Sequence, residues 1–144
     1  METTRIVTEP IDAHASVVHR IAAEHHIPLD DAERRVEELI KFLYVAAESD
    51  APVAPSKAVD AAWHAFILHT RNYAGFCEKV FGRFIHHEPA DAGADTDTAY
   101  RTTLERLAAR FGTPDPRYWP PADAAGCEEG QCTDECTGSC KGDG

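Results

Sequence analysis

Positive charge is scarce in this chain. Lys and Arg number 14 against 25 Asp and Glu, for a formal net charge of −11. Nonspecific binding of nucleic acid needs a basic surface that displaces counterions. That class is excluded, and so is adhesion to anionic membranes. Arg34 and Arg35 lie among Glu33, Glu37 and Glu38 and make no basic patch. Long apolar runs are missing too. The longest, Phe42 to Ala47, falls far short of the roughly 20 residues a membrane helix needs. Met1-Glu2-Thr3-Thr4-Arg5 is not followed by the apolar segment of a secretory signal. The expected setting is the cytosol, where cysteines serve as thiols or metal ligands rather than disulfides. Sustained strand alternation is also absent, so the expected fold is all-α.

At 144 residues, with 43% hydrophobic content, the chain suffices for one domain with a real core. The periodicity predicts five helices. The first covers about 12–26, with Asp12 as N-cap and Val17, Val18, Ile21 and Ala22 as its stripe. Pro28 ends it. Asp30 is read as the cap of the second, to about Ser49, with Val36, Leu39, Ile40, Leu43 and Ala47 on one side. Its charges, Glu38 among them, are read as lying mostly off that stripe. Ser56 caps the third, which aligns Val59, Ala62, Trp63, Phe66 and Ile67. The fourth, 70–81, aligns Tyr73, Phe76, Cys77, Val80 and Phe81, with Gly82 as its C-terminal cap. The third and fourth are expected to form a central antiparallel hairpin. The fifth runs to Phe111 with Tyr100, Leu104, Leu107, Ala108 and Phe111 inward and Gly112 behind it. The segment 113–121, rich in proline, reads as a strap that lays Tyr118 and Trp119 on the bundle. The helical domain is therefore 1–121.

Residues 122–144 differ in kind. Apart from Cys their only apolar residues are three alanines, and six acids against Lys141 give a charge of −5. Such a tail cannot bury a core and is expected to be flexible without a ligand. Cys127, Cys132, Cys136 and Cys140 are its one ordering device. Four thiolates can close around zinc, Cu(I) or an iron–sulfur cluster. The spacing C-x4-C-x3-C-x3-C matches neither a zinc ribbon nor a ferredoxin run. The tail is read as a ligand set independent of the folded domain. Free oxidisable thiols and a substrate for a modifying enzyme are the other readings.

Chemistry-bearing residues crowd into 55–89. Asp60 and His64 lie one helical turn apart, on the flank of the apolar face, and are expected to be half-buried. His86 and His87 follow the Gly82 cap, and His87 is read as the one that faces inward. The metal reading has Asp60, His64 and His87 converging on a divalent ion, with Cys77 as a further candidate ligand. The alternative is that Asp60 accepts hydrogen bonds that fix helix packing, the commoner use of such a pair. Cys77 lies on an apolar face and reads chiefly as a core residue. Trp63 reads as a core anchor, the pair His25 and His26 as helix-end cations, and His14, His19 and His69 as surface residues.

The same stretch resembles the glycine-rich domain-containing protein-like family, whose pattern is roughly V-D-x-x-W-H-x-x-I-L-x-T-x-x-Y-x-x-F-C, then G and H-x-P. Here it reads Val59-Asp60, Trp63-His64, Ile67-Leu68, Thr70, Tyr73, Phe76-Cys77, Gly82 and His87-Glu88-Pro89. The chain has nine glycines and no glycine-rich tract, so it looks like a compact bacterial relative. The resemblance implies a helical domain and no defined activity. The leading expectation is a non-enzymatic metal-binding protein, for zinc or another thiophilic metal, with a regulatory or carrier role. A metal-dependent enzyme centred on Asp60, His64 and His87, activating water at an open position, is the alternative. A third is an interaction module whose acidic surface meets a basic protein partner.

Overall fold

The computed structural model describes residues 14–88 and 96–122. It is all-α: α1 (His14–His25), α2 (Leu29–Glu48), α3 (Lys57–Ile67), α4 (Thr70–Phe81) and α5 (Thr96–Phe111), with no strand among the described residues. The expectations for Asp12, Pro89 and the cysteines of the tail fall outside the described residues.

Helix ends follow local chemistry. The Ser56 hydroxyl caps α3 by accepting the Val59 N–H at 3.2 Å. Gly82 closes α4 at φ 76°, where a Cβ would be strained, and Gly112 follows α5 at φ 95°. Two expectations need correction. First, α2 starts behind Pro28, which sets an extended N-cap with no side-chain bond. Asp30 and Asp31 instead lie in its first turn, where they favour the helix dipole. Second, α1 is closed before Pro28 is reached. His26 turns left-handed at φ 54°, and the Ile27 N–H returns to the Ala22 carbonyl at 3.1 Å.

The long amphipathic α2 is central and packs on α1, α3 and α5. Contact on three sides widens its buried arc beyond the predicted stripe to take in Phe42 and Val45. It also encloses Glu38, which is 2% exposed. That acid does not lie off the stripe, because it is the polar seat of the strap. The Trp119 indole donates to it at 2.8 Å, while Arg34 and Lys41 neutralise it at 2.9 and 3.2 Å. Tyr118 donates to Asp31 at 2.5 Å, and Tyr100 to the Pro120 carbonyl at 2.7 Å. Burial pushes the Tyr100 hydroxyl up to about 12. The strap thus lays its aromatics down as expected, with Tyr118 and Trp119 both buried.

On α5 the inward face is rotated from expectation. Thr103 is buried and Ala108 exposed. The Thr103 hydroxyl accepts the Ala54 N–H at 2.9 Å and lies 2.8 Å from the Ala54 carbonyl. The proline-bounded linker before α3 is therefore pinned by a polar residue that an apolar-period reading passes over. Only Leu68 and His69 separate α3 from α4, and the two helices pack on each other through Phe66, Tyr73 and Phe76.

Glu38→Ala is expected to cost about 2 kcal/mol, because it strips a buried indole of its acceptor and two partly exposed cations of their partner. Glu38→Gln, which keeps an acceptor for Trp119, is expected to cost less. Urea unfolding of the two variants beside the parent measures both.

Candidate functional site

The site begins with the spacing on α3. Asp60 and His64 project from successive turns of one flank. A third group arrives from the segment after α4. Behind Gly82 the chain carries Ile85 inward, where Tyr73 donates its hydroxyl to the Ile85 carbonyl at 2.5 Å. Tyr73 in turn accepts the Trp63 indole N–H at 3.0 Å. With Ile85 fixed, alternation in the extended chain turns His87 inward and leaves Phe84 and His86 exposed.

His87 then packs edge-on to the Trp63 ring, with centroids 4.3 Å apart, and sets Nε2 2.7 Å from Asp60 Oδ1. A carboxylate oxygen only accepts, so the His87 Nε2 carries the proton of that bond. His64 Nε2 lies 3.7 Å from the same oxygen, too far for a hydrogen bond, and its ring centroid is 4.5 Å from that of His87. One donor atom from each of Asp60, His64 and His87 falls within 4.8 Å of the others. The three side chains differ in access. His87 is 18% exposed, Asp60 is half-buried, and His64, expected to be half-buried, is 60% exposed. One turn beyond Asp60 the flank of α3 has already cleared its neighbours.

Cys77 and His86 do not join the cluster. His86 packs on Phe84 at the surface. Cys77 is fully buried in the core, and burial pushes its thiol above the ordinary value, against a smaller opposing pull from the Ile85 backbone and the Tyr73 hydroxyl. Burial likewise raises the Tyr73 hydroxyl. Among the other histidines, His19 is exposed, while His69 is half-buried and donates from Nδ1 to the Ala65 carbonyl at 3.2 Å. The relay from Trp63 through Tyr73 to Ile85 is the part a stripe-based reading misses. The signal for it was that a buried indole N–H and a buried phenol both need partners.

Among the described residues, fold and cluster together give five helices with a carboxylate–imidazole group on one flank. The chain belongs to the UCP032817-like family, whose sequence model matches residues 7–109. This corrects the resemblance to the glycine-rich domain-containing family. The pattern behind that resemblance covers only 55–89 and consists largely of core positions such as Val59, Trp63, Tyr73, Phe76 and Cys77. The family match takes in α1, α2 and most of α5 as well. No curated protein and no solved structure matches the chain. Among the described residues no helix is long and apolar enough to cross a membrane.

The geometry separates the two imidazoles energetically. His87→Ala is expected to lower stability by about 1 kcal/mol, the value of a charge-assisted hydrogen bond discounted for the exposure of Asp60. His64→Ala is expected to stay within about 0.5 kcal/mol of the parent. Denaturant midpoints of both variants test this.

Cys77 and Tyr73 keep their protons better folded than unfolded, because their values are raised. Their contribution is whole below the unfolded values, 9.0 for the thiol and 10.0 for the phenol, and is lost as pH rises above them. Stability should therefore decline with a steepening slope from about pH 9 upward. Cys77→Ala should delay the onset towards the tyrosine range. Unfolding free energies measured from neutral to alkaline pH give both slopes.

Proposed function

We propose that the protein binds a divalent transition-metal ion through Asp60, His64 and His87, in a regulatory or carrier role rather than as an enzyme. The observation that carries this reading is the convergence of one carboxylate oxygen and two imidazole nitrogens within 4.8 Å. Imidazole and carboxylate donors suit zinc and its borderline neighbours. Bonds near 2 Å need small side-chain rotations from such a cluster and transfer of the His87 Nε2 proton to Nδ1 through solvent, which frees that nitrogen for the ion. His64 is exposed and its rotamer is free to close on an ion. An ion held by so open a ligand exchanges readily with solvent, which suits uptake and release better than a permanent structural role.

A second reading has its own observation. The Asp60–His87 bond of 2.7 Å ties the segment after α4 to α3 with no ion required. His64 discriminates between the two, because it touches the metal reading and not the packing one. Full-length protein with Cys127, Cys132, Cys136 and Cys140 all replaced by Ser isolates the cluster. Calorimetric titration of that variant with Zn²⁺ should give one ion per chain, and adding His64→Ala should weaken binding by at least roughly tenfold without loss of fold. Equal Zn²⁺ binding with and without His64, or none in either, leaves Asp60 and His87 as packing chemistry.

A further inference from the structure

Behind Gly82 the described chain, 83–88, runs without helix or strand, and its hold on the bundle is thin. Among these residues Ile85 alone is buried, at 4% exposure, and His87 is half-buried. Its fastenings include three side-chain hydrogen bonds. Arg83 donates to the Ala47 carbonyl at 2.8 Å on the exposed surface, Tyr73 donates to the Ile85 carbonyl, and His87 donates to Asp60. Gly82, left-handed at φ 76°, stands where the segment leaves α4 and suits a hinge. A segment with one buried side chain opens at far lower cost than the bundle that carries it.

Beneath the segment lies Cys77. It is fully buried, with its sulfur in contact with the Ile85 backbone and the Tyr73 hydroxyl. Lifting the segment takes Ile85 off the sulfur and removes the acceptor of Tyr73. A way to the thiol then opens while α3 and α4 stay packed through Phe66 and Phe76. The cluster spans the same joint. Asp60 and His64 belong to α3, and His87 rides on the segment. An ion bound by all three donors therefore exists only with the segment down. The open form keeps two ligands and binds more weakly. By linkage, the ion draws the equilibrium towards the closed form by the ratio of the two affinities.

We infer that an ion at Asp60, His64 and His87 is a latch: it locks the segment 83–88 down on α3, so that metal occupancy governs access to the Tyr73–Cys77 pair. This rests on the metal reading of the cluster and gives its regulatory role a moving part. Without an ion the Asp60–His87 hydrogen bond holds the segment closed most of the time. The ion replaces that single bond with three.

Full-length protein with Cys127, Cys132, Cys136 and Cys140 all replaced by Ser keeps Cys77 as its single thiol, and iodoacetamide is the probe. The alkylation rate tracks the open population when reclosing is fast beside alkylation. Zn²⁺ at about 100 times its dissociation constant should slow alkylation at least roughly tenfold. Adding His64→Ala, which leaves the core untouched, should remove that response. Low urea should change the rate much less than it changes global unfolding, as a local opening requires. Calorimetry on the same samples reports whether Zn²⁺ is bound through His64. Zn²⁺ that binds through His64 and leaves the alkylation rate unchanged overturns the latch alone, and the three-ligand site stands. A slowing that persists in His64→Ala also overturns the latch, because the ion then acts on the thiol directly. So does a rate with the full urea dependence of unfolding, because the thiol is then reached only when the whole bundle opens. Absence of His64-dependent Zn²⁺ binding overturns the metal reading and the latch with it.

Discussion

Trp63 is the residue on which core and site both depend. Its ring meets Phe42 of α2 edge-on at 5.2 Å, and its other contact of this kind is His87 at 4.3 Å. Its N–H donates to Tyr73, which donates on to the Ile85 carbonyl. One side chain therefore joins α2, α3, α4 and the segment that carries His87. The position of His87 is set by packing inside the bundle before Asp60 is considered. A residue so placed supplies apolar burial and a satisfied polar group at once, the combination that makes a large aromatic side chain a specific anchor as well as a greasy one.

The same division of labour recurs through the fold. Helices meet through apolar side chains, whereas the irregular segments are pinned by polar groups that the helices bury. Glu38 and Asp31 hold the strap, Thr103 holds the linker before α3, and Tyr73 holds the segment after α4. Segments without regular structure leave backbone and side-chain polar groups that must be paired once enclosed. Each buried polar side chain on a helix meets such a need. That is why Glu38 and Thr103 sit inside although neither fits an apolar stripe.

What could be read from the sequence follows the same line. Helical periodicity located all five described helices, and the stripes of α1 and α3 were close to right, because their buried residues fall mostly on the single face that the spacing picks out. The reading of α2 failed where this long helix buries more than one stripe and seats the strap as well, hence Phe42, Val45 and Glu38. On α5, Thr103 was passed over because its burial is justified by a partner on a linker 49 residues away, which no local window contains. The cluster was legible in part. The spacing of Asp60 and His64 puts them on one flank, and the reading of His87 as inward agrees with its 18% exposure. The exposure of His64 was not legible, since it depends on where α3 runs past its neighbours. The family was misread because a 55–89 pattern dominated by core residues reports a style of packing more than descent.

Packing and ligand binding draw on one geometry at Asp60. One carboxylate oxygen lies 2.7 Å from one imidazole nitrogen and 3.7 Å from another, so it faces both rings. In the hydrogen-bonded form the proton on His87 Nε2 occupies the shorter of the two lines. A metal ion would take the same place, with His64 rotating in to share it. The bundle fixes two of the three donors whether or not an ion arrives, so little order remains to be created on binding. Only His64 would remain to be ordered, and at 60% exposure it is the donor on which packing depends least. The features that make the cluster useful for packing are therefore those that would make it receptive to a cation, and His64 is where the two roles part.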